Sequence, residues 1–262
     1  MTSLVLFAAL TAADGGIASY PDAKRAFADA IASKPEVLAI GEYHEIDGAA
    51  PKVKSALKRF TTELLPSLKG RAGALIVETW MTTGRCGEVE KAATAAVAKT
   101  TQRPKSTENE LETLLNRSYE LGLKNHILLI SCDEYKSMLG DDGELDGEKS
   151  LTLVKNKLEE KTIEAREKGE GAVVIYGGAL HNDLQPAEGF EGVTFGPALK
   201  RETNGRYLEL DLLVPEYVEK DEDLLKEPWF KPALELSAKG KAVLVTTGPD
   251  SRVIVFPRTK KR

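Results

Sequence analysis

Four common catalytic and nucleotide-binding motifs are absent from the sequence. Without a GxSxG nucleophile elbow, a serine α/β-hydrolase is disfavoured. Without a GxxxxGK[ST] loop, or a GxGxxG segment after the first predicted strand, P-loop and dinucleotide-binding enzymes are disfavoured as well. The HExxH motif of the common zinc peptidases is also missing. Any chemistry in this chain must therefore depend on a different set of residues.

Long apolar runs and excess positive charge are lacking too. No apolar run approaches the ~20 residues that a membrane-spanning helix needs. The net charge is −5, from 36 basic and 41 acidic residues, whereas nucleic-acid binding requires a cationic surface. We therefore expect small-molecule or peptide substrates as partners, no nucleic acid and no transmembrane segment. The oligomeric state stays open.

The N-terminus allows two interpretations. Residues 4–13 are apolar and have the length of the central part of a signal peptide, but no Lys or Arg precedes them. Residues 1–16 are therefore either the remnant of a signal or a short N-terminal helix packed on the domain. The compartment, cytoplasmic or exported, stays open with them.

Cysteine is scarce: the chain has only Cys86 and Cys132. Two cysteines form neither a disulfide framework nor a CxxC pair for structural zinc. One bridge between them, in an exported protein, and two buried free thiols both remain open.

Apolar runs alternate with helical patterns along the first two thirds of the chain. The predicted strands are residues 37–41, 74–77, 126–131 and 172–176, and the predicted helices are residues 21–33, 51–68, 88–97, 107–121 and 146–168. Continuously apolar strands separated by helices indicate a mostly parallel central sheet with helices on both faces.

The last third of the chain changes character. Residues 206–214 alternate and then become apolar, and two further runs flank Gly248, Pro249 and Asp250. The two runs predict a C-terminal antiparallel hairpin. Because no repeat or low-complexity linker interrupts the chain, we expect one α/β domain over residues 1–262.

Titratable side chains follow four of the predicted strands. Glu42 and His44 end the first, Glu78 the second, Asp133 the third and His181 the fourth. In an open α/β sheet, ligands bind beyond the carboxyl ends of the parallel strands. A carboxylate next to an apolar run also needs a partner, so these ends predict a functional site. His126 lies at the opposite end of its strand, which predicts a structural or surface role.

The motifs G-E-x-H at residues 41–44, a strand ending in Glu78, and G-x-x-H at residues 178–181 resemble a known superfamily. It holds the erythromycin esterases, the ChaN-type haem-binding lipoproteins and the Tiki/TraB peptidase-like proteins. The resemblance covers roughly residues 37–184. It implies an α/β fold with Glu42, His44, Glu78 and His181 in one cleft, but it does not settle the activity.

Two hydrolytic mechanisms suit these residues. In the first, Glu42, His44, Glu78 and His181 hold a divalent metal, zinc, manganese or iron, that activates water for attack on an ester or amide. In a metal-free variant, His44 or His181 is the general base, and Arg85 stabilises the oxyanion. Cys132 as a nucleophile with His181 as its base is a further alternative.

The alternative class is a haem- or small-ligand-binding protein without catalysis. Tyr43 and Tyr176 lie near the strand ends, and tyrosine or histidine can be an axial haem ligand. Aromatic residues make up only 6% of the chain, however, and a haem site requires a wide apolar face. We expect Gly177 and Gly178 to let the chain turn sharply and let backbone approach the occupant of the cleft.

Overall fold

A computed structural model of the chain describes residues 16–45 and 52–259. Eight strands form one sheet. They are β1 (Ile17–Tyr20), β2 (Val37–Glu42), β3 (Ala74–Thr82), β4 (Lys124–Ile130), β5 (Val173–Gly178), β6 (Tyr207–Leu213), β7 (Ala242–Gly248) and β8 (Ser251–Val255). Their order across the sheet is β1-β7-β8-β6-β2-β5-β3-β4.

The sheet is mostly parallel, as the sequence predicts. The six neighbours from β8 to β4 pair in parallel, and β7 pairs antiparallel with both β8 and β1. The predicted C-terminal hairpin is therefore confirmed as β7 and β8. Strand β1 is a short addition at the edge next to β7, and its four residues carry no apolar run that would have predicted it.

Helices connect the strands. They are α1 (Ala23–Ala30), α2 (Ala56–Arg59), α3 (Glu88–Thr101), α4 (Ser106–Glu120), α5 (Cys132–Ser137), α6 (Gly147–Glu167), α7 (Ala179–Asn182), α8 (Gly196–Glu202), α9 (Pro215–Val218) and α10 (Phe230–Ala238). Short 3₁₀ segments cover Leu65–Leu68, Glu191–Val193 and Leu224–Lys226, and a π-helical turn covers Phe60–Leu64. Within the described residues, no helix is both long and apolar enough to cross a membrane.

Both faces of the sheet are covered, which explains the unbroken apolar strands. In β2, Leu38 and Ile40 pack in the core cluster beneath α1, α2 and α4. Val37 and Ala39 point to the opposite face and pack beneath α6 and α8. A strand with two buried faces needs apolar side chains at every position, so strict alternation is lost.

The long helix predicted for residues 51–68 is shorter and irregular. It begins at Ala56, after the Ser55 hydroxyl accepts a hydrogen bond from the Lys58 amide. It then widens into the π turn and ends in the 3₁₀ turn that contains Pro66. Pro51 lies outside the described residues, as does the N-terminal segment 1–15 whose signal or helix interpretation stays open.

The two cysteines form a disulfide. Cys86 precedes α3 and Cys132 begins α5, and their Cα atoms are 5.0 Å apart. The bridge leaves no thiol at Cys132. The alternative of a Cys132 nucleophile is therefore wrong for this structure.

Candidate active site

A cleft of about 550 Å³ lies at the carboxyl ends of β2 and β5, and the middle of β6 forms part of its wall. Glu42, His44, Glu78 and His181 all line it. Parallel pairing aligns Glu42, the last residue of β2, with Gly178, the last residue of β5. The structure thus brings together the four side chains that the sequence motifs single out.

Glu42 is the buried anchor of the cleft, with only 6% of its surface exposed. Its Oε1 atom lies 3.0 Å from Nδ1 of His44 and 2.8 Å from Nη2 of Arg103. Its Oε2 atom accepts a hydrogen bond of 2.5 Å from the hydroxyl of Tyr176. Burial is the largest influence and opposes ionisation, but His44 and Arg103 together outweigh it and lower the pKa of Glu42.

Arg103 is a cationic component of the site that the sequence motifs do not indicate. It lies between α3 and α4, and its Nη2 atom rests against the His44 ring, 2.8 Å from Nε2. No motif marks it, because it sits in a polar connection between two helices. Neither arginine is among the residues that line the cleft, but Arg103 contacts Glu42 and His44, whereas Arg85, the arginine that the sequence suggested, is exposed.

Glu78 reaches the cleft through an irregularity in β3. The pairing of β3 with β4 shifts register between Val77 and Trp80, and Glu78 lies within that shift. Bulges of this kind often redirect a side chain next to an active site. Its Oε2 atom accepts a hydrogen bond of 2.5 Å from the Gly178 amide. Burial opposes ionisation, but the nearby His181, His44 and Arg103 outweigh it and lower the pKa of Glu78.

The two glycines of β5 are needed because they have no side chains. A Cβ atom on Gly177 would lie 2.6 Å from Oε2 of Glu78, and one on Gly178 would lie 3.0 Å from Nε2 of His44. Gly178 has an ordinary extended backbone, with φ of −69° and ψ of 141°. The space without a Cβ atom is thus used by Glu78 and His44, and at Gly178 it does not require the special backbone freedom of glycine; the approach of backbone to an occupant of the cleft stays a prediction.

His181 is held by its ring and by its backbone. Its Nδ1 atom lies 2.7 Å from the carbonyl oxygen of Val193, and its own carbonyl accepts hydrogen bonds from the Thr194 hydroxyl and the Phe195 amide. Pairing with a carbonyl assigns the proton to Nδ1. The other ring nitrogen, Nε2, has no hydrogen-bond partner among residues 16–45 and 52–259.

Two carboxyl groups of β6 also line the cleft, and the sequence analysis did not include them. Glu209 and Asp211 alternate with leucines and therefore point to the same face of β6. Burial, the largest influence, raises the pKa of Glu209 to about 7 and that of Asp211 well above its ordinary value. A charged residue at every second position of an apolar strand, as in the segment LELDLL, is the signal that could have revealed them.

The remaining candidates occupy different places. Tyr43 lines the cleft wall. Tyr176 is fully buried, stacks on Phe60 with ring centroids 4.8 Å apart, and uses its hydroxyl on Glu42. His126 lies in the first half of β4, where its Nε2 atom is 2.7 Å from the Glu170 carboxylate. It is not among the residues lining the cleft, consistent with its predicted structural role.

The four predicted metal ligands do not all have free donor atoms. Both oxygens of Glu42 are already engaged, by His44 and Arg103 on one side and by Tyr176 on the other. The guanidinium group of Arg103 lies where a cation would contact both Glu42 and His44. In the described part of the chain, no group of three or more His, Cys, Asp or Glu side chains is arranged to hold a metal ion. The donor set therefore fits a metal poorly, and metal binding stays a prediction.

Comparison with protein-family models, with curated proteins and with solved structures finds no match to this chain. The similarity to the erythromycin esterase and ChaN superfamily therefore rests on the three sequence motifs alone.

Proposed function

We propose that this cleft hydrolyses an ester or amide bond by a metal-free mechanism in which His181 is the general base. The observation that supports this most is the hydrogen bonding of the His181 ring: Nδ1 is held by the Val193 carbonyl, whereas Nε2 has no partner in the described part of the chain. Glu78 and His44 line the same cleft. An oriented imidazole with one free nitrogen can accept a proton from water.

Glu78 supplies the charge that such a base requires. Glu78 is half-buried and its pKa is lowered, with His181 the strongest of the neighbours that favour the charged form. When Nε2 accepts a proton, the nearby carboxylate stabilises the imidazolium that forms. The hydroxide adds to the carbonyl carbon, and the C–O or C–N bond breaks as the leaving group takes the proton back.

His44 and Arg103 form the complementary, electrophilic side. A Cβ atom placed on Gly178 would lie 3.0 Å from Nε2 of His44 and 3.5 Å from Oε2 of Glu78. The two side chains therefore converge over Gly178. Arg103 is fixed against His44 by the buried Glu42 carboxylate. Arg103 does not itself line the cleft, so its fixed positive charge acts from behind the His44 ring to stabilise the oxyanion that develops on the carbonyl oxygen.

Haem binding has weaker support from the geometry. The phenol of Tyr176 is engaged with Glu42 and does not line the cleft, so Tyr43 is the only tyrosine of the predicted pair at its wall. Five carboxyl groups line the cleft, those of Glu42, Glu78, Asp183, Glu209 and Asp211. Among the described residues that line the cleft, none is a Lys or Arg that could pair with the haem propionates.

The test is hydrolysis of short-chain p-nitrophenyl esters and p-nitroanilides by wild type, His181→Ala, His44→Ala and His126→Ala. Loss of a general base typically lowers the rate ~10²–10⁴-fold, so we expect that loss for His181→Ala and wild-type rates for His126→Ala. A chelator should leave the wild-type rate unchanged. Chelator inhibition reversed by zinc, manganese or iron would instead support the metal-assisted mechanism.

Two outcomes would contradict the proposal. One is a wild-type rate in His181→Ala with its fold intact. The other is no turnover of any ester or amide above the uncatalysed rate. An absorption titration with haem then decides the alternative, because a Soret band that depends on Tyr43 would favour ligand binding over catalysis.

A further inference from the structure

Strand β6 holds the segment that follows His181 with three side chains from one of its faces. The Tyr207 hydroxyl donates a hydrogen bond of 2.6 Å to the carbonyl of Asn182. Oε2 of Glu209 accepts one of 2.8 Å from the Leu184 amide, and Oδ1 of Asp211 accepts one of 2.9 Å from Nδ2 of Asn182. Residues at alternate positions of a strand share a face. One face of β6 therefore holds a row of three side chains that contact the residues directly after His181.

Glu209 is the one member of this row that also binds another strand. Its Oε1 atom accepts a hydrogen bond of 2.8 Å from the hydroxyl of Ser251 on β8. Only 7% of its surface is exposed. The carboxyl group therefore joins β8, β6 and the segment after His181 at one buried point.

We propose that Glu209 is a positioning residue for His181, and that the charge on its carboxyl group decides how firmly the segment from Asn182 to Leu184 is held. An ionised carboxylate accepts from both the Leu184 amide and the Ser251 hydroxyl, and charge-assisted bonds are the stronger ones. A protonated carboxyl must donate its own proton and loses acceptor capacity on that oxygen. The proposal deepens the hydrolase function and rests on the role given to His181 there.

The surroundings place this change near neutral pH. The pKa of Glu209 is raised to about 7: burial is the largest cause and Asp183 adds to it, while the bonds from Leu184 and Ser251 together with Lys200 oppose the rise. The titratable and charged groups that face Glu209 from the surrounding elements are Asp183, Lys200, Tyr207, Asp211 and Asp250. Lys200 is itself paired with Asp250 at 2.8 Å, so carboxyl groups are the dominant charges around Glu209.

Nuclear magnetic resonance can test this without substrate, because the chain has only three histidines. The Leu184 amide proton and the His181 ring resonances are followed from pH 5 to pH 9. In wild type we expect both to report a common midpoint near 7. Glu209→Gln keeps the shape of the side chain but cannot ionise, so the step near pH 7 should vanish from the Leu184 amide, and the His181 ring should lose the step that it shares with Leu184.

Glu170→Gln is the matched control, since Glu170 is a buried carboxylate that contacts His126 instead. It should change the His126 resonances and leave Leu184 and His181 as in wild type. A common midpoint that persists in Glu209→Gln would overturn the proposal. So would a Leu184 titration that His181 does not follow in wild type.

If Glu209→Gln does not fold, Ser251→Ala replaces it as the test. It removes a hydrogen bond that favours the ionised carboxylate, so the common midpoint should move to higher pH. An unchanged midpoint in Ser251→Ala would contradict the proposal. Because none of these signals requires turnover, a protein with the common midpoint but no hydrolytic activity would contradict the proposed function alone. In an active enzyme, kcat/KM should keep the step that the general base His181 produces and lose a second step near pH 7 in Glu209→Gln.

Discussion

Nε2 of His44 lies 3.0 Å from the position that a side-chain carbon on Gly178 would occupy. The same carbon would lie 3.5 Å from Oε2 of Glu78. The first distance is too short for comfortable packing and the second is ordinary. An added methyl group must therefore displace His44, the nearer of the two side chains.

Gly178→Ala should for that reason reduce activity more than stability. Overpacking typically costs ~1–3 kcal/mol, and displacement of His44 relieves part of it. We expect hydrolysis of the best ester substrate to fall at least about 10-fold, because small misplacements of a catalytic group are costly. Steady-state kinetics and thermal unfolding measure the two effects.

Gly147→Ala is the control for this change, because a Cβ there meets no atom within 4 Å. It should match wild type in rate and in unfolding temperature. Wild-type activity in a folded Gly178→Ala variant would mean that the position of His44 is unimportant to the reaction.

Arg103→Gln should lower activity, whereas Arg85→Gln should not. Arg103 supplies the positive charge beside Glu42 and His44, and Arg85 is exposed away from the cleft. Removal of one stabilising donor from an oxyanion site typically costs ~10²–10³-fold in kcat, which we expect for Arg103→Gln. Equal kcat values for the two variants would show that Arg103 does not stabilise the oxyanion.

The contrast between these arginines shows what the sequence could predict and what it could not. Glu42, Glu78 and His181 end or follow apolar strands, and the geometry of a parallel sheet then brings them to one edge. Arg103 reaches Glu42 and His44 from a connection between helices, whose path depends on tertiary packing rather than on a periodic pattern. The fold was predictable for a similar reason: two buried faces require apolar strands.

The two carboxyl groups of β6 were not predicted from the sequence for a different reason. Glu209 and Asp211 lie inside β6, and alternation of charged and apolar residues is ordinarily typical of a strand with one solvated face. Here the charged face points into the cleft and against the segment after His181. Only the position of β6 beside β2, in the middle of the sheet, distinguishes the two cases, and that position is a property of the topology.

Removal of the disulfide should destabilise the protein without abolishing the fold. The bridge closes a loop with a sequence separation of 46 residues. Loop entropy for a chain of that length corresponds to roughly 4 kcal/mol at most, and measured effects are often smaller. Urea unfolding should show a lower free energy for the Cys86→Ser/Cys132→Ser double variant than for wild type.

Reductant provides the control for this experiment. It should move wild type to the stability of the double variant and leave that variant unchanged. A reductant-insensitive wild type would show that the cysteines are not bridged in solution.

The Glu170–His126 pair should contribute to stability at neutral pH and lose that contribution in acid. Glu170 is 4% exposed in its side chain and accepts hydrogen bonds from His126 at 2.7 Å and from Lys124 at 3.3 Å. Burial opposes ionisation, but His126 and Lys124 outweigh it and lower the pKa of Glu170 below its ordinary value of 4.5. A lowered pKa favours the folded state fully above the unfolded value, and the benefit is lost as the pH falls through the folded value.

Urea unfolding of wild type and Glu170→Gln at pH 7 and at pH 3 measures this contribution. The difference in unfolding free energy between the two proteins should be large at pH 7 and should shrink toward pH 3, which lies below the ordinary pKa of 4.5 at which the unfolded carboxyl group takes up its proton. Glu112→Gln, on an exposed position of α4, should differ little from wild type at either pH. Hydrolysis should be unaffected by Glu170→Gln at pH 7, because His126 lies outside the cleft. A difference that stays constant between pH 7 and pH 3 would mean that Glu170 stabilises the fold by packing rather than by charge.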